Sequence, residues 1–435
     1  MSHRSAHHHI SSAEDEPLPP YSVFEPVATE SGSHSEVPAI IEPSWNLLYP
    51  ALAQEPNSIT VEPTDMTAVT NASDTRAVQL LEPSSSISLT LEGMKSVQIN
   101  VRVDSEHKYN GLVYIEARFS HKLPLLLERG QVPVQVSSCL VSETNRVQID
   151  FTATARFGSM REITGELELV LPQNADTVIP ELVFRLPPCS NLELANIASN
   201  VVNLIDVATI SGCVSVEDVD VGRMRVAIGD GHIRASGIAV SHGSAEFIAM
   251  TGSIQVHDCA VPGGNIRVNS PGAMLKMENI SAHKILIQSS QATTCIYNAE
   301  ADFVSVESDS GLLTLNNIAA RVLKVKADTS PVTGSWIIGE SIDIAVVSAI
   351  IQGKLAFRGD SVRAYIGTTE WPVRLAISEN YSGSFDISAV NSVVNFCLAD
   401  AALNEGQTRR RGAVGEGTHM LHVESSNAPI VITTH

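Results

Sequence analysis

Apolar residues recur along the middle of the chain with a spacing that does not suit a helix. Between about 191 and 396, apolar residues follow a boundary residue two positions apart, then after a step of three, then two apart again. Spacings of two place side chains on one face of a strand, and the longer step marks a corner. The pattern returns about every twenty residues, after Gly212, Gly231, Gly252, Gly272, Ala292, Gly311 and Pro331.

This repeat predicts an all-β fold, a single-stranded parallel β-solenoid. One such coil cannot bury its apolar face alone, but stacked coils bury it together and pair their backbones. Glycine at the boundary permits a positive φ or a close backbone approach. Residues 191–396 would hold about ten coils of about twenty residues. At an interstrand spacing of about 4.8 Å, this makes a rod about 50 Å long.

Two further regions flank the repeat. Residues 86–190 alternate apolar and polar positions between turn sequences, which predicts a β-rich region. It is either a small sandwich or a set of irregular first coils. Residues 397–435 read as a polar loop with Arg409, Arg410 and Arg411, followed by a strand pair. Because the ends of a solenoid are open strand edges, we expect both regions to cover them.

The first 85 residues differ in composition from the rest. They contain ten of the 21 prolines and twelve acidic residues against two basic ones. Such a segment buries too little apolar surface to offset its ordering entropy, so we expect 1–85 to be a disordered acidic leader. The whole chain has a net charge of −20. This charge disfavours binding to nucleic acid and to anionic lipid headgroups.

Cysteines and targeting signals point away from secretion. The six cysteines include no CxxC pair and are interpreted as free, buried thiols, with disulfides between coils as the alternative. The first thirty residues lack the apolar core of a signal peptide. The longest apolar run, 344–351, is far shorter than the roughly twenty residues that span a bilayer. The localisation is unknown from these signals, and the cytoplasm is the default expectation.

The leader holds the one predicted docking motif, formed by Leu18, Pro19, Pro20 and Tyr21. Proline-rich segments favour the polyproline II conformation, which the aromatic grooves of WW domains bind. The alternative is a proline cluster that only keeps the leader in solution.

Within the repeat, the strongest candidate for chemistry is the acidic run Glu217, Asp218 and Asp220 beside Gly222. Its spacing suits the start of a calcium loop, but the acids flank apolar positions and are interpreted as the solvent face of a strand. Dinucleotide, phosphate-loop, zinc-protease and nucleophile-elbow motifs are absent. We therefore predict no catalytic, cofactor or metal site. No common offset from the boundary residues unites the histidines His232, His242, His257 and His283.

The glycine-spaced repeat, the leader motif and the closing segment 426–430 (SNAPI) together resemble a family of fungal proteins. Those proteins carry domains of unknown function related to the "putative adhesin" solenoid domain. The resemblance covers about 86–435. It implies a β-solenoid, a surface-adhesion role and no assigned activity.

These observations favour a non-enzymatic scaffold or adhesin-like interaction protein. Protein partners would bind to the proline-rich leader or to the solenoid faces, and the rod ends would permit end-to-end self-association. The alternative is a carbohydrate-binding or carbohydrate-active β-helix of the lyase or hydrolase type, which rests on fold analogy alone. A cleft with two or more carboxylates within roughly 10 Å and with stacked aromatic rings would favour that alternative.

Overall fold

The computed structural model describes residues 67–70, 74–104, 108–109, 111–121, 134–141, 145–153, 163–173, 178–398, 402–404 and 408–435. Every regular element in these ranges is a β-strand, so the predicted all-β class is confirmed. The N-terminal strands are β1 (Thr67–Thr70), β2 (Asp74–Leu81), β3 (Ser86–Glu92), β4 (Ser96–Asp104), β5 (Val113–His121), β6 (Val134–Val141), β7 (Arg146–Ala153), β8 (Ile163–Pro172), β9 (Ile179–Leu186) and β10 (Ser190–Ile197).

Long strands that bend at their corners follow in the middle of the chain. They are β11 (Val202–Val221), β12 (Arg223–Val240), β13 (Ser244–Ser270), β14 (Gly272–Ser289), β15 (Thr294–Ser308), β16 (Leu313–Ala327) and β17 (Val332–Val346). The C-terminal strands are β18 (Ile351–Phe357), β19 (Arg363–Thr368), β20 (Val373–Ile377), β21 (Gly383–Ala389), β22 (Val394–Cys397), β23 (Ala402–Asn404), β24 (Arg409–Val414), β25 (His419–Ser425) and β26 (Ile430–Thr434).

The regular coils build two parallel ladders, one from each half of the repeat. Ladder A contains segments such as 224–228, which pairs with 245–249, and ladder B contains segments such as 231–239, which pairs with 252–260. The solenoid has about nine turns, slightly fewer than the ten expected. The equivalent apolar residues of the repeat share one column, as predicted. On ladder B this column runs through Val214, Ile233, Ile254, Leu275, Thr294 and Leu313.

The boundary glycines are required by close contact between coils. Gly231 has a φ of 138°. A Cβ at this position would lie 2.0 Å from the carbonyl oxygen of Gly212 in the preceding coil. Because both the backbone conformation and the space exclude a side chain, only glycine suits this site.

The described strands of 86–190 form irregular coils of the same stack. Strand β3 pairs in parallel with β7 and β9, and β4 pairs in parallel with β8 and β10. The β3–β4 coil therefore lies between two coils that follow it in sequence. Strands β9 and β10 then pair with β11, which joins this region to the regular coils. Of the two alternatives, the structure has the irregular coils.

Antiparallel strands lie at the N-terminal end of both ladders. Strand β6 pairs with β7 on ladder A, and β5, β2 and β1 follow β8 on ladder B. Strands β1 and β2 lie within 1–85, so the expectation of disorder is wrong for these residues. The physical reason is that the backbone of β2 pairs along its whole length with β5, which offsets the cost of ordering it.

The last two strands of the chain enter the interior of the stack. On ladder A, β25 lies between β19 and β21, and on ladder B, β26 lies between β20 and β22. The expectation that this strand pair caps the rod is therefore wrong. The arginine triplet lies in strand β24, not in a loop, and β24 pairs antiparallel with β21 and β23 at this end.

The core between the ladders is mainly aliphatic, with a few large rings such as Trp336 and Phe247. All six cysteines are free, as expected. The expectation that they are buried holds for Cys259, whose burial raises the pKa of its thiol to about 12. It is wrong for Cys189 and Cys397, which are exposed because they lie outside the core columns.

Candidate functional site

A ladder of side-chain amides stabilises one corner of the solenoid. Asn298 donates from Nδ2 to Oδ1 of Asn279 over 3.0 Å, and Asn317 donates from Nδ2 to Oδ1 of Asn298 over 2.9 Å. An amide both donates and accepts, so the chain of bonds continues from coil to coil. Each of these corner residues has a positive φ, which asparagine and aspartate tolerate better than other side chains. The corner residues are Asn196, Asp218, Gly237, Asp258, Asn279, Asn298 and Asn317.

The sequence analysis missed this ladder, although its signal was present as Asn or Asp at about twenty-residue intervals. The acidic run that was weighed as a calcium loop falls on it. Asp218 occupies the corner with a φ of 51°, Glu217 is exposed and Asp220 is half-buried. Within the described ranges no group of three or more His, Cys, Asp and Glu side chains is arranged to hold a metal ion.

Opposite charges alternate along the outer face of ladder A. Asp206 accepts from Arg185 at 2.5 Å and lies 3.5 Å from Arg225, which in turn contacts Glu246 at 3.2 Å. Asp206, Arg225 and Glu246 occupy equivalent positions on successive coils, and Arg185 reaches Asp206 from a position two residues further along the preceding coil. The ion pairs are partly exposed and each contributes modestly to stability.

A second polar cluster lies on ladder A near the C-terminal end. The rings of Tyr365 and His422 stack with centroids 5.1 Å apart, and the Tyr365 hydroxyl donates to Glu424. The hydrogen bond from His422 lowers the pKa of Glu424, and the bond from Tyr365 adds to this effect against the opposing effect of burial. Burial and the Glu424 carboxylate raise the pKa of Tyr365. The donors and acceptors of this cluster are therefore bound to one another.

Two arginines of β24 bind one carboxylate of β21. Arg409 and Arg411 both donate to Oδ2 of Asp386, at 2.5 and 2.8 Å. Burial raises the pKa of Asp386, but the hydrogen bonds and positive charges of the arginines outweigh it and hold the pKa at about 2. Arg409 and Arg411 therefore link the antiparallel strand β24 to β21, which belongs to the stack.

An open groove with a volume of about 450 Å³ follows one corner of the coils, and we call it the corner groove. Small residues, including Ala282, Ala301 and Ala320, form its floor. His283 contacts Oδ2 of Asp302 through Nδ1 at 2.7 Å, and Arg321 pairs with Glu340. Successive coils therefore present histidine, acid, arginine and acid along the rim, and these groups bind one another.

The corner groove meets one half of the criterion for a carbohydrate-active enzyme. Two carboxylates, Glu300 and Asp302, line it. None of the described residues that line it has an aromatic ring of the Phe, Tyr or Trp type. Asp302 is hydrogen-bonded to His283, and Glu300 lies 4.0 Å from Arg358. The sequence analysis did not bring these residues together, because their pairing depends on the register between coils.

A second open groove lies on the outer face of ladder B, and we call it the ladder groove. It has a volume of about 580 Å³ and crosses β16, β17, β18, β20 and β26. Hydroxyl and amide side chains line it together with two cations, and the described lining residues include no carboxylate. The polar and charged side chains of the ladder groove are Asn316, Thr333, Ser335, Gln352, Lys354, Arg374 and Thr433.

Two neighbouring coils carry glycine beneath the ladder groove, Gly334 and Gly353. A Cβ at Gly353 would lie 2.4 Å from the ring of Trp336, which is 1% exposed. The large ring therefore fills the interior where two side chains would otherwise stand. Its Nε1 is buried and has no hydrogen-bond partner among the described residues. It lies 2.9 Å from the Cβ position of Gly334, a residue that lines the groove.

The predicted docking motif of Leu18, Pro19, Pro20 and Tyr21 lies outside the described residues. Among the residues that are described, there is no helix with the length and apolar character needed to cross a membrane.

Comparisons with known proteins give only distant structural likeness. No protein-family model matches the chain, and no curated protein matches it. Among solved structures, it is similar to the crystal structure of a "putative cell adhesion protein" from Clostridium sporogenes ATCC 15579, with 9% identity and a TM-score of 0.15. The likeness covers 83% of this chain and 100% of that chain. A TM-score this low carries no argument about function, and the resemblance to fungal solenoid domains stays a prediction.

Proposed function

We propose that the protein is a non-enzymatic, adhesin-like scaffold, a β-solenoid that binds a partner molecule on the outer face of ladder B. The observation that carries this proposal is the ladder groove, where side chains from five strands stand in register on one open face. Residues of successive coils align there; Thr333 pairs with Gln352, and Gln352 pairs with Arg374. A face of this kind presents many contacts at fixed spacings.

The charged groups at the corner groove and near the C-terminal end support the same assignment, because several of them are bound to one another. His283, Arg321 and Asp386 each have a charged partner at hydrogen-bond distance. Lys354 and Arg374 on ladder B differ. Both are exposed, and neither forms an ion pair with a carboxylate in the part of the chain that the structure describes. The ladder groove therefore combines two such cations with hydroxyl and amide side chains on one open face, which favours it as the binding surface.

The repeated contacts between coils make the solenoid a stiff support. The amide ladder and the ion pairs of ladder A link one coil to the next, and the boundary glycines let the coils approach closely. A stiff surface loses little conformational entropy when a partner binds, which favours affinity. We infer that the acidic leader tethers the solenoid or recruits partners through Leu18, Pro19, Pro20 and Tyr21. Binding of a leader peptide to a WW domain, with Tyr21→Ala as the control, tests this part.

Binding to an array of purified glycans and surface proteins tests the scaffold proposal. We expect the wild-type protein to retain at least one ligand class, and Thr333→Trp, which fills the ladder groove, to lose it. Ser305→Trp, on the outer face of ladder A, is the matched control and should keep it. Mass spectrometry of the recovered ligand should show it unchanged.

The same experiment distinguishes the enzymatic alternative. A ligand that is cleaved by the wild-type protein but not by Asp302→Asn or Glu300→Gln would overturn the scaffold proposal and assign the chemistry to the corner groove. Binding that survives in the Thr333→Trp variant would place the partner on a different surface and would also contradict the proposal.

A further inference from the structure

We propose that the ladder groove binds an acidic oligosaccharide, one that carries uronic acid carboxylates. This inference rests on the proposed scaffold function and specifies its ligand. In a chain with a net charge of −20, the ladder groove presents Lys354 and Arg374 without a carboxylate among its described lining residues. Two exposed cations on adjacent coils attract an anion, and Arg374 has the planar donor arrangement that matches a carboxylate.

Hydroxyl and amide groups lie between and beside the two cations of the ladder groove. The hydroxyl and amide groups of the ladder groove both donate and accept hydrogen bonds. Sugar hydroxyls have the same dual character, so each ring offers partners to several of these side chains. Gln352 pairs in register with Arg374, and Lys354 follows Gln352 on the same face two positions later. A carboxylate and its neighbouring hydroxyls therefore meet cations and an amide at one place.

The position of the ladder groove disfavours an extended acidic peptide as its occupant. Peptides that bind to sheets do so mainly by adding a strand at an edge. The ladder groove lies on a face, and the strands beneath it already pair with one another. Its floor thus offers a peptide neither a free strand edge nor deep apolar pockets. A glycan needs neither.

The shape of the ladder groove suits a linear chain. The ladder groove crosses five successive strands of ladder B, which spans about 19 Å at about 4.8 Å per step. It is open to solvent along this length, so it suits a linear chain of several rings that lies across the strands. The buried Nε1 of Trp336 lies beside Gly334 under the floor. A ligand in the groove therefore changes the surroundings of this indole.

Isothermal titration with a galacturonate hexamer provides the test, with its fully methyl-esterified form as the neutral counterpart. We expect the acidic hexamer to bind and the ester to bind at least tenfold more weakly, because its carboxylates carry no charge. Lys354→Gln with Arg374→Gln should weaken binding of the acidic hexamer by about tenfold to a hundredfold. Lys326→Gln with Arg363→Gln, on ladder A, changes the net charge equally and should leave the affinity unchanged. Both pairs are exposed.

A fluorescence measurement shows where the hexamer binds. The chain has three tryptophans, so Trp45→Phe with Trp371→Phe leaves Trp336 alone. We expect its emission to shift with the same dissociation constant that titration gives. An unchanged emission would place the ligand elsewhere and overturn the proposal.

The remaining outcomes separate this inference from the scaffold function. Equal binding of the acid and the ester would overturn the charge argument but keep a glycan-binding scaffold. Tighter binding of polyglutamate than of the hexamer would make the ligand an acidic peptide and keep the scaffold as well. Absence of binding by all three probes, together with a blank array, would remove both proposals.

Discussion

Asn279 donates a hydrogen bond from Nδ2 to Oδ1 of Asp258, one coil earlier, over 2.8 Å. Both residues have a positive φ, 58° and 51°. One side chain therefore meets two requirements: it tolerates the corner conformation and it links two coils. The same arrangement continues through Asn298 and Asn317, so the corner is a continuous column of amides.

Substitution of Asn298 separates these two roles. Asn298→Ala removes both side-chain hydrogen bonds and places alanine in the left-handed region, and we expect a loss of about 2 kcal/mol of unfolding free energy. Asn298→Gly keeps the conformation and loses only the bonds, at about 1 kcal/mol. Urea unfolding monitored by circular dichroism measures both. Equal losses in the two variants would mean that backbone strain is not part of the role.

The boundary glycine Gly231 should not accept any side chain. Gly231→Ala places a Cβ 2.0 Å from the carbonyl oxygen of Gly212 at a φ of 138°. We expect a loss of about 3 kcal/mol or more, because the coils must move apart. Gly339→Ala is the control, since its Cβ would meet its nearest atom at an ordinary 3.4 Å. Thermal unfolding of the two variants should differ by several degrees, and similar melting temperatures would contradict the account.

The sequence predicts the regular coils well because their signal is local. Val214, Ile233 and Ile254 each follow a glycine at the same offset, and a repeat of that kind has only one way to bury all its apolar residues. The order of the terminal coils is different. The sequences of β3 and β26 do not indicate which strand each one pairs with. Pairing with a strand distant in sequence requires the same alternation of apolar and polar side chains as pairing with a neighbouring one. That order is set by the combined side-chain packing of all the coils at the ends of the rod.

The grooves could not be predicted for the same reason. Lys354 and Arg374 are twenty residues apart in sequence, and their proximity depends on the register between β18 and β20. The pairing of His283 with Asp302 likewise requires two coils to align. The amide corner was predictable in principle, because Asn279, Asn298 and Asn317 recur at the period of the repeat.

The stability of the β21–β24 pair at the C-terminal end should depend on acid through Asp386. Its folded-state pKa of about 2 lies below the ordinary value of 3.8. The stabilisation is therefore present above about pH 4 and is lost as the pH falls towards 2, because the unfolded chain then binds a proton more readily than the folded one. Asp386 is partly exposed, so the effect is small.

Comparison of Asp386→Asn with the wild type measures this effect. We expect the wild type to have the larger free energy of unfolding at pH 5, and the difference between the two proteins to shrink between pH 4 and 2. Urea unfolding at each pH measures it. Asp343→Asn, elsewhere on ladder A, is the control. Burial raises the pKa of Asp343, so its dependence on pH should have the opposite sign. A difference for Asp386→Asn that is constant with pH would contradict the bond to the arginines.

Removal of the last strands should loosen more of the rod than their position in the sequence indicates. A chain that ends at Gly417 lacks β25 and β26, which lie between β19 and β21 and between β20 and β22. Strands β21, β22 and β24 then lose their connection to the stack. We expect hydrogen exchange to show their amides unprotected, while β11 to β16 keep their protection because their neighbours are intact.

A chain that begins at Ser86 is the matched control, since it removes only the outermost strands β1 and β2 and leaves β3 and β4 paired on both sides. It should therefore lose protection in β5 alone. Continued protection of β21 and β22 in the shorter chain would show that β25 and β26 only cover the end, and the inserted order of strands would then be wrong.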